Sequence, residues 1–256
     1  MRTAVKFGGS AITWKSEPLS IRSDVLVRLA GELSVFRARH RDHELVVVHG
    51  GGSFGHPLVE ECLHSTGYID EECFSRVAFY MDFLNHVVVE ALMSSELPAV
   101  RISPRSICRG VGYTDCNMDV VGGLIDAGVV PVLYGDVILT KDGFKVVSGD
   151  DLVWYLTKSI GVERVVFVTD VDGVYDKDPR VASDAKVLSG MRVNEVLEAA
   201  EFWGVHDVTG GMLGKLRKPL LLGIRGVEVY VVNGLIPGNL LNALEGKKVV
   251  GSVLWV

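Results

Sequence analysis

The sequence predicts an α/β fold, an αβα sandwich whose central sheet is mostly parallel and carries helices on both faces. Three observations predict it. Short β-branched runs alternate with longer stretches of helical periodicity along the chain. Two of the runs pass directly into glycine clusters, at Lys6-Phe7-Gly8-Gly9 and at Val48-His49-Gly50-Gly51-Gly52, as strand-to-helix junctions do. The chain of 256 residues is 48% hydrophobic with a mean hydropathy of +0.30, enough to bury a sheet on both faces without staples.

Strands are expected at residues 4–7, 45–49, 99–102, 129–134, 137–140, 144–147, 164–169, 228–232 and 249–254. Helical patterns cover 21–39, 70–95, 152–160, 193–200 and 212–222, and a helix is expected to start at Ser53. Lys141-Asp142-Gly143 between two strand-like runs predicts a hairpin, and this hairpin marks a seam between two halves. Pro219 inside a helical pattern predicts a kink or a break. No linker, repeat or low-complexity tract divides the chain, so residues 1–256 read as one domain. Within it, residues 1–148 and 149–256 are expected, approximately, to form two functional halves.

Composition narrows the function classes. The formal net charge is −6 and no basic run is long, which argues against nucleic acid as a partner. No apolar stretch reaches the ~20 residues of a membrane span, and the N-terminal run is too short and too interrupted for a signal peptide. The four cysteines, Cys62, Cys73, Cys108 and Cys116, form no C-x-x-C and no zinc-ligand spacing with histidine. They read as reduced, partly buried thiols of a cytoplasmic protein.

The most telling segment is Val46-Val47-Val48-His49-Gly50-Gly51-Gly52-Ser53-Phe54-Gly55-His56. Glycine lets the backbone approach an anion closely, and a helix starting behind it aims free N–H groups at the same spot. His56, about one turn in, can reach a second anionic group. Gly50, Gly52 and Gly55 also spell G-x-G-x-x-G, with Asp70 as the candidate ribose acid of a dinucleotide site. That acid should end the second strand of the unit, whereas Asp70 opens a charged first helical turn. A purely structural glycine turn is the other alternative.

Three further segments carry candidate chemistry: Lys6-Phe7-Gly8-Gly9-Ser10 with Lys15 after it, Thr169-Asp170-Val171-Asp172-Gly173-Val174-Tyr175, and Thr209-Gly210-Gly211 leading to Lys215. There is no Walker A pattern. The Asp170–Asp178 cluster has its glycine misplaced for a calcium loop. Together the motifs resemble the amino acid kinase superfamily over nearly the whole chain. Gly50 through His56, Ile12-Thr13-Trp14-Lys15 and Ser148-Gly149-Asp150-Asp151 are most similar to its isopentenyl phosphate kinases, and fosfomycin kinases share much of the first segment. A non-catalytic nucleotide sensor on the same fold is the alternative from another class.

The resemblance implies an ATP-dependent kinase of isoprenoid synthesis by the alternative mevalonate pathway, acting as a homodimer on a phosphate monoester with Mg²⁺. It implies Lys15 as transition-state stabiliser, Lys6 as a bridge to the phosphates, and Asp150 as the carboxylate that orients the lysines. Phe7, Gly8, Gly9, Ser10, Gly52, Asp170, Tyr175, Gly211 and Lys215 would serve ATP. Gly51, His56 and Gly149 would contact the acceptor phosphate. A helix around residues 74–93 would roof the apolar pocket, with Phe79, Tyr80 and Phe83 as lining candidates. No protein-held metal is expected, Mg²⁺ arriving with ATP.

Overall fold

The computed structural model describes residues 1–177, 179, 182–202 and 212–256. In chain order the elements are β1 (Arg2–Phe7), α1 (Gly9–Ile12), α2 (Ser23–Arg39), β2 (Glu44–His49), α3 (Gly52–Thr66), α4 (Glu71–Ser94), β3 (Ala99–Arg101) and α5 (Pro104–Ile107). There follow α6 (Asp119–Asp126), β4 (Val130–Tyr134), β5 (Asp136–Thr140), β6 (Gly143–Val147), α7 (Gly149–Ile160), β7 (Arg164–Thr169) and the short β8 (Val174–Tyr175), β9 (Val187–Leu188) and β10 (Met191–Arg192). The chain closes with α8 (Val193–Phe202), α9 (Met212–Leu221), β11 (Glu228–Asn233), α10 (Asn239–Leu244) and β12 (Gly251–Trp255).

Among the described residues, eight strands form one sheet in the order β10-β12-β11-β7-β1-β2-β4-β3. All pairings are parallel except β11 with β12. Alternation along the strands builds two cores. Val5 and Phe7 of β1 join Val47 of β2 under α2, α3 and α4, while Ala4 joins Val46 and Val48 under α6, α7 and α9. The parallel sheet thereby gathers the ends of β7, β1, β2 and β4 at one edge, where ligands bind in open α/β sheets.

Several expectations are corrected. The cysteines are paired, Cys62 with Cys73 and Cys108 with Cys116, and no described cysteine is free. Motif spacing could not see this, because the first pair is made by α3 packing on α4, which sets the two Cα atoms 6.0 Å apart. The second pair closes an isolated antiparallel bridge at Cys108 and Cys116. α4, 24 residues long, is also long and apolar enough to cross a membrane by length and composition, with a mean hydropathy of 1.2 over an 18-residue window. In the fold its Val77, Met81, Leu84 and Val88 enter the core.

The hairpin forms as expected, with β5 and β6 paired antiparallel as a separate ribbon. Its place is different. It lies against α4, where Phe144 stacks on Phe74 at 4.4 Å, and so forms a wall rather than a seam. Pro219 does not break its helix, for α9 runs through it. Pro219 has no N–H for the Lys215 carbonyl four residues earlier, and the Trp154 Nε1–H donates to that carbonyl at 2.7 Å.

Candidate active site

At the β1 and β2 ends, two glycine junctions pack backbone against backbone. A Cβ on Gly9 would sit 2.3 Å from the Gly52 nitrogen, and one on Gly8 would sit 2.6 Å from the Val168 carbonyl oxygen. Gly52 also holds φ +49°, a left-handed conformation that favours glycine. These glycines therefore have a packing reason as well as any ligand. The helix behind them starts at Gly52, one residue earlier than expected, and places His56, itself exposed, about one turn in.

The lysines are organised by carboxylates. Asp150, in the first turn of α7, has Oδ1 2.9 Å from Lys6 Nζ and Oδ2 3.2 Å from Lys215 Nζ. Burial opposes ionisation of Asp150, but the two ammonium groups outweigh it and hold the carboxyl below its usual range. On the other side, Lys15 Nζ lies 3.2 Å from Asp170 Oδ2, and Ser10 Oγ donates to Asp170 Oδ1 at 2.6 Å. Burial of Asp170 is likewise overcome, by Ser10 and then Lys15. Lys6 is buried within the sheet, whereas Lys15 is largely exposed, with a side chain 72% accessible.

A cavity of about 170 Å³ opens beside this array. It is lined by Lys6, Gly50, Gly51, His56, Gly149 and Asp150, so the N-termini of α3 and α7 both face it. Ser148 caps α7 by accepting from the Asp151 N–H at 3.0 Å. Two helix N-termini and one ammonium around one space suit an anion. The apolar side chains of Val59, Val77, Met81, Val137, Val146 and Val147 line the same cavity, together with Glu60 and Asp136.

Phe79, Tyr80 and Phe83 do not line the cavity. Val77 and Met81 are the residues of α4 that face it, one helical turn apart, and Phe79 and Phe83 come out on the opposite, exposed side. Phe7 offers no side chain to a nucleotide, because it is fully buried in the core. Tyr175 lies on β8, half-buried. Gly211, Thr209, Gly210 and Asp178 lie outside the described residues. Asp70 caps α4 by accepting from the Cys73 N–H at 2.8 Å, which removes it as a ribose acid. Asp172 accepts from Asn233 Nδ2 at 2.7 Å.

Two buried polar groups under the cavity escaped the sequence. His49, fully buried, donates from Nδ1 to the Gly50 carbonyl at 3.1 Å and accepts at Nε2 from Asn85 of α4 at 3.0 Å. Burial and the nearby Lys6 lower its pKa to about 4, so the ring is neutral. Arg105 of α5 bridges Asp136 of β5 and Asp82 of α4, and Tyr134 donates to the same Asp82 at 2.5 Å. No local motif joins Asp82, Arg105 and Asp136; only the fold does.

Residues 1–233 match the model of the amino acid kinase family. The chain belongs to the amino acid kinase family. An isopentenyl phosphate kinase from Methanothermobacter thermautotrophicus is 37% identical over 263 residues, covering 97% of each chain. A solved isopentenyl phosphate kinase superposes with a TM-score of 0.81 at 33% identity, over 99% of this chain and 100% of that one. A product complex of the Thermoplasma acidophilum isopentenyl phosphate kinase superposes at 0.77 with 28% identity, over 99% and 100%. As an amino acid kinase the protein is a phosphotransferase, with ATP as the phosphoryl donor.

Proposed function

We propose that this amino acid kinase transfers the γ-phosphoryl group of ATP to isopentenyl phosphate, giving isopentenyl diphosphate for isoprenoid synthesis by the alternative mevalonate pathway. The observation that carries the reading is the polarity of the cavity. Lys6, Gly51, His56 and Gly149 share its lining with the apolar side chains of Val77, Met81, Val137 and Val146. A short branched hydrocarbon bearing one phosphate matches both sets of groups.

The chemistry asks for little beyond position and charge. The second pKa of a phosphate monoester is near ~6, so the acceptor oxygen is already ionised at neutral pH and needs no general base. In this reading Lys6 neutralises the phosphates on both sides of the migrating group, Lys15 meets charge that develops during transfer, and Lys215 holds the ATP phosphates. Asp150 fixes the Lys6 and Lys215 ammonium groups. Gly8, Gly9, Ser10 and Gly52 form the nucleotide side of the junction, and Asp170 sets Lys15 and Ser10 there.

Mg²⁺ would arrive with ATP, bound by phosphate oxygens and water. Asp150 and Asp170 are engaged by lysines, and no group of three potential metal-ligating side chains occurs among the described residues. We further propose a cytoplasmic homodimer, for which the exposed Phe79 and Phe83 of α4 supply apolar surface; light scattering with F79E checks the dimer, and cell fractionation the location.

The function is tested by incubating the protein with Mg-ATP and a panel of acceptors, with products identified by phosphorus NMR. Isopentenyl phosphate should give a diphosphate. Turnover of glutamate, aspartate or acetylglutamate without isopentenyl phosphate would overturn the reading, and turnover of fosfomycin alone would replace it with a phosphonate kinase.

A further inference from the structure

We infer that Trp154 is a positioning residue for Lys215, acting through a carbonyl that Pro219 frees from the helix. The inference rests on the reading above that Lys215 holds the ATP phosphates. Asp150 and Trp154 lie one turn apart on α7 and thus share a face. Asp150 takes the Lys215 ammonium at 3.2 Å, and Trp154 takes the Lys215 carbonyl at 2.7 Å. One helix face therefore grips both ends of the same lysine.

Pro219 is what makes the second grip available. A regular residue there would give its N–H to the Lys215 oxygen, and the proline ring instead presses that carbonyl away from the helix axis. The indole that meets it cannot drift. Trp154 is fully buried, with its ring 5.7 Å from that of Phe167 on β7. The register of α9 is thus read against the sheet at the residue that carries the cation. The proline that looks like a defect in sequence becomes part of the site.

The pairing predicts coupling that packing alone does not. W154F removes the N–H donor and some packing; P219A restores a helical N–H to the same carbonyl and returns no packing to position 154. ATP affinity by calorimetry and the Michaelis constants for both substrates are measured in W154F, P219A and the double variant. W154F should weaken ATP about ten-fold and leave the isopentenyl phosphate KM within about two-fold. P219A alone should have a small effect, and W154F/P219A should recover most of the lost ATP affinity.

Unchanged ATP affinity in W154F, or a double variant no better than W154F, would overturn the inference. Should W154F fail to fold, the indole resonances of ¹⁵N-tryptophan-labelled protein read the contact directly. The Trp154 indole signal should shift in P219A, where the helical amide takes a share of the same oxygen, and an unshifted signal would overturn the inference. If the parent bound no ATP, the nucleotide reading would fail, and the indole shift would still decide whether the Trp154 indole holds the carbonyl that an amide at position 219 competes for.

Discussion

Arg105 holds Asp136 from below the cavity, and its other guanidinium nitrogen donates to Asp82 at 2.6 Å. The pair joins two apolar walls of the cavity. Asp82 belongs to α4, which contributes Val77 and Met81, and Asp136 opens β5 of the hairpin, which contributes Val137 and Val146. The Asp136 side chain is wholly buried, so its charge has no water to fall back on.

Replacing Arg105 should therefore loosen the slot as well as the fold. R105M takes away the cation that opposes burial at Asp136, so this carboxyl stays protonated beside Asp82, and the lost hydrogen bonds should cost about 1–3 kcal/mol. R105M/D136N should recover much of that stability. The preference for isopentenyl phosphate over geranyl phosphate should fall in both variants while the ATP KM stays put. Melting temperatures and the two kcat/KM values check this, and an unchanged preference in the folded double variant would contradict it.

The depth of the slot should respond to Met81 and not to Phe79. M81A removes a side chain at the cavity wall and should raise kcat/KM for geranyl phosphate relative to isopentenyl phosphate. Each buried CH₂ is worth ~0.8 kcal/mol, so one more five-carbon unit gains a few kcal/mol once it fits. The same change should lower stability by about 2–5 kcal/mol. F79A, on the exposed side of α4, should leave the preference as it is.

Lys15 and Lys215 should separate kinetically. K15A should lower kcat far more than it weakens ATP binding, because the charge that Lys15 meets develops during transfer. K215A should act chiefly on ATP affinity. Single-turnover rates with calorimetric ATP binding distinguish the two, and equal small effects would mean that the roles are wrongly assigned.

His49 should give stability a signature at mildly acidic pH. Its folded pKa of about 4 lies below the ordinary value of 6.5, so the unfolded chain takes up the proton first and stability is lost as pH falls through that window. The loss by pH 4 is about 3 kcal/mol. Asp136 works in the opposite sense. Burial raises it to about 7 against the pull of Arg105, so its contribution is lost as pH rises from about 4 to 7. The informative quantity is thus the difference between the parent and H49Q in urea unfolding. That difference should shrink by about 3 kcal/mol from pH 6.5 to 4, and a constant difference would contradict a buried neutral ring.

What the sequence disclosed and what it hid follow one physical division. The glycine junctions, Lys6, Lys15 and His56 were legible because each belongs to a short segment whose local backbone does the work. The sheet was legible because burial on both faces leaves continuous β-branched runs such as Val46-Val47-Val48. The working face of α4 was not. Phe79 and Phe83 occur on its outer side and Val77 and Met81 on its inner one, so periodicity alone did not say which faced the slot. Arg105 with Asp82 and Asp136, the Cys62–Cys73 pair, and Trp154 beneath Pro219 are contacts between elements, and no spacing rule reaches them.

The central claim is that the glycine-lined part of the cavity holds the phosphate of a monoester, with His56 upon it. The most direct measurement is steady-state kinetics of H56A with isopentenyl phosphate and ATP varied in turn. Loss of one charge-assisted hydrogen bond is worth about 1.5–3 kcal/mol. The acceptor kcat/KM should therefore fall by about one to two decades while ATP affinity is nearly unchanged. An H56A enzyme with the parent's acceptor kinetics would contradict the account.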